Sequence, residues 1–278
     1  MPEAPVLKGK KHRPNNKYQK GDSFSNLRFF VHVSARELRL SALAIIDAEM
    51  GKKVAILQSN YIPWKGYFDI ISQVDEFILF DDAQYTRNDW RNRNKIKGQS
   101  GTLWLTIPVQ RNFGEKIKES KVENGNWAEK QWKSIKNNYA KALYFDELAS
   151  RFESAYQESA SQPYLSQINH AFITLICSLL GIKTKISWSM DYQIGDGKTE
   201  RLVSICQQAG GTEYLSGPAA KDYLDESAFA SAGIKLAYID YSGYPEYPQL
   251  FPPFVHEVSV IDLIFNTGDE APKYMKGF

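Results

Sequence analysis

The stretch VAILQSNYIPWKGYFDIISQVDEFILFDD, residues 54–82, decides the reading of the fold. Val54 to Gln58 is a short apolar run of the kind that forms a buried strand. The loop SNYIPWKG follows, and Tyr67 to Val74 then places apolar residues at helical spacing. Glu76 to Phe80 is a second continuous apolar run, stopped by Asp81-Asp82. Strand, helix and strand in this order predict a βαβ unit with parallel strands and a right-handed crossover. In such units the loops at the carboxyl ends of the strands build ligand sites.

Downstream, QYTRNDWRNRNKIKGQSG reads as a polar segment, and Thr102 to Val109 (TLWLTIPV) as another strand, ended by Pro108. From Asn126 to Gly181 the pattern is helical. Trp127, Gln131, Ile135 and Tyr139 share one face of a first helix, Leu143 to Tyr156 forms a second, and Tyr164 to Leu180 a third, closed by Gly181. Alternation then returns: strand Thr184 to Trp188, helix Lys198 to Ala209, short strand Glu213 to Leu215 and strand Ile234 to Ile239. The aromatic, proline-rich loop DYSGYPEYPQLFPPF leads to a last amphipathic helix, Val258 to Asn266. The predicted class is α/β: a Rossmann-like, nucleotidyltransferase-like parallel sheet core with a helical subdomain inserted at about 126–181. No repeat and no long linker divides residues 50–278, which read as one domain.

A hydrophobic content of 43% with 13% aromatic residues supports a packed core and excludes disordered and fibrous classes. Residues 1–49 hold nine Lys/Arg against five Asp/Glu, which leaves 25 basic and 27 acidic residues for 50–278. The body is therefore near neutral, without a global basic field for nucleic acid. Cys177 and Cys206 lack zinc-site spacing and sit in apolar runs, so they read as buried, reduced residues of a cytoplasmic protein. No run reaches the roughly 18 to 20 apolar residues that span a bilayer. The basic, polar start is a poor signal peptide. Met50-Gly51-Lys52-Lys53 directly precedes the first strand, so residues 1–49 are expected to be an upstream extension, with a flexible basic arm as the rival.

Three groups carry candidate chemistry. The first is the turn holding Gln58, Asn60, Tyr61, Trp64, Gly66 and Tyr67, where Gly66 near the helix start would let backbone N–H groups approach an anion. It is neither a GxGxxG nor a P-loop, and a tight turn with aromatic packing explains it too. The second runs from Asp81 and Asp82 through Gln84, Tyr85, Arg87, Trp90, Arg91, Asn92, Arg93 and Asn94. Its carboxylates suit Mg²⁺ or general-base work, its arginines and asparagines a phosphate and a sugar, and a solvated basic loop is the competing explanation. Adjacent carboxylates on a strand point to opposite faces, which favours a single one, Asp82, as base. The third group is Lys198 and Arg201 with Ser216 and Gly217, for an anionic ligand or simply surface salt bridges. His256, in the loop-to-helix passage FVHEVSVIDLIFN, is the candidate proton carrier, against the commoner structural role of a lone histidine. His170 lies inside an apolar helix, no Ser-His-Asp arrangement is visible, and no metal site is assigned.

The same stretches carry a resemblance. QSNYIPWKGYFDII looks like the opening QPNYxPWxGYFDLI of the WbqC-like proteins of bacterial surface-polysaccharide gene clusters. DEFILFDDAQYTRNDWRNRNKI is similar to that family's most specific block, and LWLTIPV, YLSGPAAKDYL and VSVIDLIFNTG also match. The resemblance runs from Lys53 to Gly268; Ser59 departs from it, standing where many members carry proline. What it implies is a place in O-antigen synthesis and a glycine transferase role, with a glycyl group placed on the amine of a nucleotide-linked amino sugar. The residues accommodate this: arginines for a diphosphate, aromatics for a base or sugar face, and Asp82 or His256 to deprotonate the amine. The donor would be an ATP-derived aminoacyl adenylate, with Mg²⁺, or an aminoacyl-tRNA. The alternatives are nucleotidyl transfer to a sugar phosphate, or a non-enzymatic nucleotide-sugar or RNA binding protein.

Overall fold

The computed structural model describes residues 51–110 and 112–278, so the expectations for residues 1–49 lie outside the described residues. Along the chain, β1 (Lys53–Leu57), α1 (Lys65–Ser72) and β2 (Glu76–Leu79) are followed by β3 (Arg93–Gly98) and β4 (Gly101–Thr106). Three helices come next, α2 (Trp127–Tyr139), α3 (Phe145–Ser159) and α4 (Leu165–Leu179). The remainder is β5 (Lys185–Trp188), α5 (Glu200–Gln208), β6 (Glu213–Ser216), α6 (Glu226–Ser231), β7 (Lys235–Tyr238) and α7 (Val260–Thr267). β1, β2, β5, β6 and β7 form one parallel sheet in the order β5-β2-β1-β6-β7. This is the Rossmann-like α/β core expected from the sequence.

The two-residue period of the strands divides the core. Ala55, Leu57, Phe77 and Leu79 face α1, α2, α3, α4 and α7. Val54, Ile56, Ile78 and Tyr214 face the opposite layer, where Ile205 and Cys206 of α5 and Phe229 of α6 close over them. The inserted helices have no core of their own. Phe265 of α7 packs within 5.4 Å of the rings of Tyr139, Phe145 and Phe152, joining α2 and α3 to the sheet side. Gly181, at φ 72°, closes α4: its N–H donates to Ser178 O and that of Ile182 to Cys177 O, satisfying carbonyls the helix end leaves free.

The polar segment after Asp82 is not all loop. Its second half is β3, which pairs antiparallel with β4 in a separate two-stranded ribbon. Ile96, Leu103 and Leu105 turn inward while Arg93, Lys95 and Trp104 turn outward. Asn94 occupies an inward position, and its amide donates to the carbonyls of Tyr61 and Ile62 at 3.2 and 2.9 Å. A polar residue in a core register hides the strand's alternation.

Candidate functional site

β2 and β5 lie to one side of β1, and β6 and β7 to the other, so the winding reverses between β1 and β6. In an open parallel sheet a crevice forms beyond the carboxyl ends of the two strands at such a point. A cavity of about 420 Å³ lies there, lined by Gln58, Asn60, Arg91, Lys198, Arg201, Ser216 and Gly217. Three cations and no carboxylate line it, a charge balance suited to an anion. Arg91 organises its floor. Its Nη1 donates to Asn60 Oδ1 at 2.6 Å, its Nη2 donates to Gln58 Oε1, and Asp89 lies 3.8 Å away. Burial lowers the pKa of this guanidinium and Asp89 opposes the shift; Nε is buried with no partner.

Asn60 also lines a second cavity, of about 540 Å³, with Trp64, Trp90, Asn94, Tyr241, Tyr244, His256 and Glu257. The Trp64 ring meets Tyr241 at 5.1 Å and Tyr244 at 5.7 Å, each at 71°. The loop that supplies the tyrosines and His256 is tied down through Asp262 of α7. That carboxylate accepts hydrogen bonds from Tyr247 (2.6 Å), Gln249 (2.8 Å) and, on its other oxygen, Tyr139 (2.8 Å). Gln249 also brackets Val255, accepting from its N–H and donating to its carbonyl, both at 2.8 Å. His256 is thereby presented with its ring edge-on to Phe254, 4.6 Å between centres, and its Nδ1 without a partner.

The model of the WbqC-like protein family matches residues 58–274, a span that contains the whole lining of the aromatic cavity and all of the cationic one except Ile56 and Leu57. The chain belongs to the WbqC-like protein family. It is also 49% identical over 227 residues, 81% of this chain and 98% of the other, to "Uncharacterized protein Rv1507c" of Mycobacterium tuberculosis (strain ATCC 25618 / H37Rv).

In this WbqC-like chain the expected site residues divide into several environments. Gly66 does not open the start of α1 to an anion: a Cβ built there would lie 2.4 Å from the Trp64 ring, which closes the approach. Tyr61 and Tyr67 are core residues. The Tyr61 hydroxyl bonds Gln131 and Tyr156, each at 2.6 Å, and Tyr67 donates to Gln58 O at 3.0 Å. The chain does turn after Phe80, yet Asp81 and Asp82 still diverge. Asp81 is fully buried, accepting from Ser59 N at 2.9 Å and from Ser166 Oγ; burial raises its pKa against those bonds. Asp82 pairs with Lys118 at 2.6 Å and Lys116 at 3.2 Å and accepts from Ser189. Burial opposes ionisation there, and those partners outweigh it, holding the carboxyl below its usual range. Asp82, expected as a base, lines neither of these cavities and is held in ion pairs with Lys116 and Lys118. Among the described residues, no three His, Cys, Asp or Glu side chains gather as a metal site.

Gln84, Tyr85, Arg87 and Asn92 line a third cavity of about 570 Å³, which shares no lining residue with the other two. Arg93 lies on the ribbon's outer face and Asn94 faces inward. Lys198 and Arg201 form no ion pair among the described residues and face the cationic cavity instead. His170 stacks on Trp188 at 4.9 Å, and both cysteines are buried, their thiols pushed up to about 12 by burial. Tyr241, Tyr244 and Glu257 went unassigned in the sequence, although the density of tyrosines in their loop was a visible signal. No helix among the described residues is long and apolar enough to cross a membrane.

Proposed function

We propose that this chain transfers an acyl group, glycyl in the simplest case, to the amine of a nucleotide-linked amino sugar used for surface polysaccharide. One observation carries the reading: a cationic cavity at the sheet's switch point shares Asn60 with an aromatic cavity that holds His256. Arg91, Arg201 and Lys198 suit a diphosphate, the guanidinium forks giving direction as well as charge. The rings of Trp64, Tyr241 and Tyr244 suit the face of a sugar or base. His256 lines the aromatic cavity, where its imidazole takes the proton of the attacking amine and returns it to the leaving group.

The test is a thermal-shift panel on the full chain with UDP- and dTDP-linked amino sugars, since a ligand that binds only the native state raises its apparent stability. The expected result is a rise in Tm with an amino-sugar nucleotide, lost in Arg91→Ala, and a product heavier by one acyl group. A folded protein that responds to none of these compounds overturns the reading.

A further inference from the structure

The outer face of the β3–β4 ribbon carries side chains that the transfer step does not use. Arg93 and Lys95 alternate along β3, with Trp104 opposite Lys95. The Arg93 guanidinium lies 4.2 Å from the centre of the Trp104 ring and Lys95 Nζ 5.2 Å from it. Trp90 is the next ring, 5.5 Å from Trp104, and the two indoles are 42% and 43% exposed. Among the described residues neither Arg93 nor Lys95 is in an ion pair. Exposed indoles interleaved with unneutralised cations are the surface on which unpaired nucleotides stack while their phosphates are held. The near-neutral body suits a few phosphates at one strand end better than a long duplex track. Trp90 belongs to both places: it adjoins Trp104 and it lines the aromatic cavity that contains His256.

We propose that this ribbon receives the single-stranded 3′ end of an RNA that carries the acyl group as a ribose ester. This rests on the transfer reading and supplies its donor. The last bases stack on Trp104 and Trp90, Arg93 and Lys95 face the phosphates, and the ester enters the cavity beside His256. The sugar amine then attacks the ester carbonyl; a C–N bond forms and the C–O bond to ribose breaks. His256 carries the amine's proton to the departing ribose oxygen, so the products are an amide and an RNA with a free hydroxyl, and no further reagent is consumed.

Fluorescence anisotropy of the full chain with a short labelled single-stranded RNA tests the surface, with the matching duplex as comparison. The proposal expects preference for the single strand and affinity that falls with salt. Trp104→Ala should weaken binding by about 5- to 150-fold, the loss of one stacked base. Arg93→Ala should reduce the slope of log affinity against log salt by about 0.7, one phosphate contact. Absent binding at low salt, salt-insensitive binding, or unchanged affinity in a Trp104→Ala protein with the parent's Tm each overturns it. If amino-sugar nucleotides still shift the Tm while RNA fails to bind, the donor falls and the transfer reading stands. RNA binding without any nucleotide-sugar shift sustains the ribbon as an RNA surface and overturns the transfer reading.

Discussion

Arg91 holds Gln58 and Asn60 with two nitrogens of one planar fork, which no lysine can do from a single ammonium. Arg91→Lys is therefore expected to keep the charge and still lose most of the nucleotide-sugar thermal shift, because the ammonium does not hold the two amides at the fixed spacing of the fork. His256→Asn is expected to separate chemistry from binding: kcat falls by about 10²- to 10⁴-fold, while the nucleotide-sugar shift is unchanged. Asp82→Asn should leave that shift intact as well, since its carboxylate faces Lys116 and Lys118 rather than either cavity. At this scale the sequence was only partly legible. Residue type marked Arg91, Asn60, Trp64 and His256 as capable of chemistry. It did not separate them from Tyr61, Asp81 and Asn94, because the partners that occupy those three lie 22 to 95 residues away or sit on a backbone carbonyl.

Among the elements, β1, α1 and β2 could be read directly, since buried parallel strands are continuous apolar runs and α1 carries helical spacing. β3 could not, because Asn94 spends its amide on backbone carbonyls in a core position and the outward Arg93 and Lys95 complete the look of a loop. The 240–254 segment reads as a loop in the sequence, and its role depends on a contact that only the fold creates, the hydrogen bonds from Tyr247 and Gln249 to Asp262. Tyr247→Phe removes one bond to a carboxylate and is expected to cost about 1.5–3 kcal/mol in chemical denaturation. Amide exchange should quicken around Val255 and His256 in that variant, while α1 stays protected; equal quickening everywhere would show that the bond serves general stability instead.

For the molecule as a whole, acid stability is governed in part by Glu76, which joins β2 to β5 from a fully buried position. It accepts from Lys52, Ser187 and Tyr192 and pairs with Lys185. Burial resists its ionisation, and these partners outweigh it, taking the carboxyl from 4.5 down to about 2. A depressed folded pKa means stability that is complete above the unfolded value and lost as pH falls through the folded one. Tm should thus hold between pH 7 and 5 and decline from about 4.5 to about 2, with a smaller decline in Glu76→Gln, as read by thermal melts across that range. A final consequence follows from Asn60 belonging to two cavities, with Arg91 gripping it from one of them. A wall held in common makes two occupants thermodynamically interdependent. Whatever factor a nucleotide sugar imposes on the affinity of the neighbouring chamber, that chamber's ligand must impose the same factor in return.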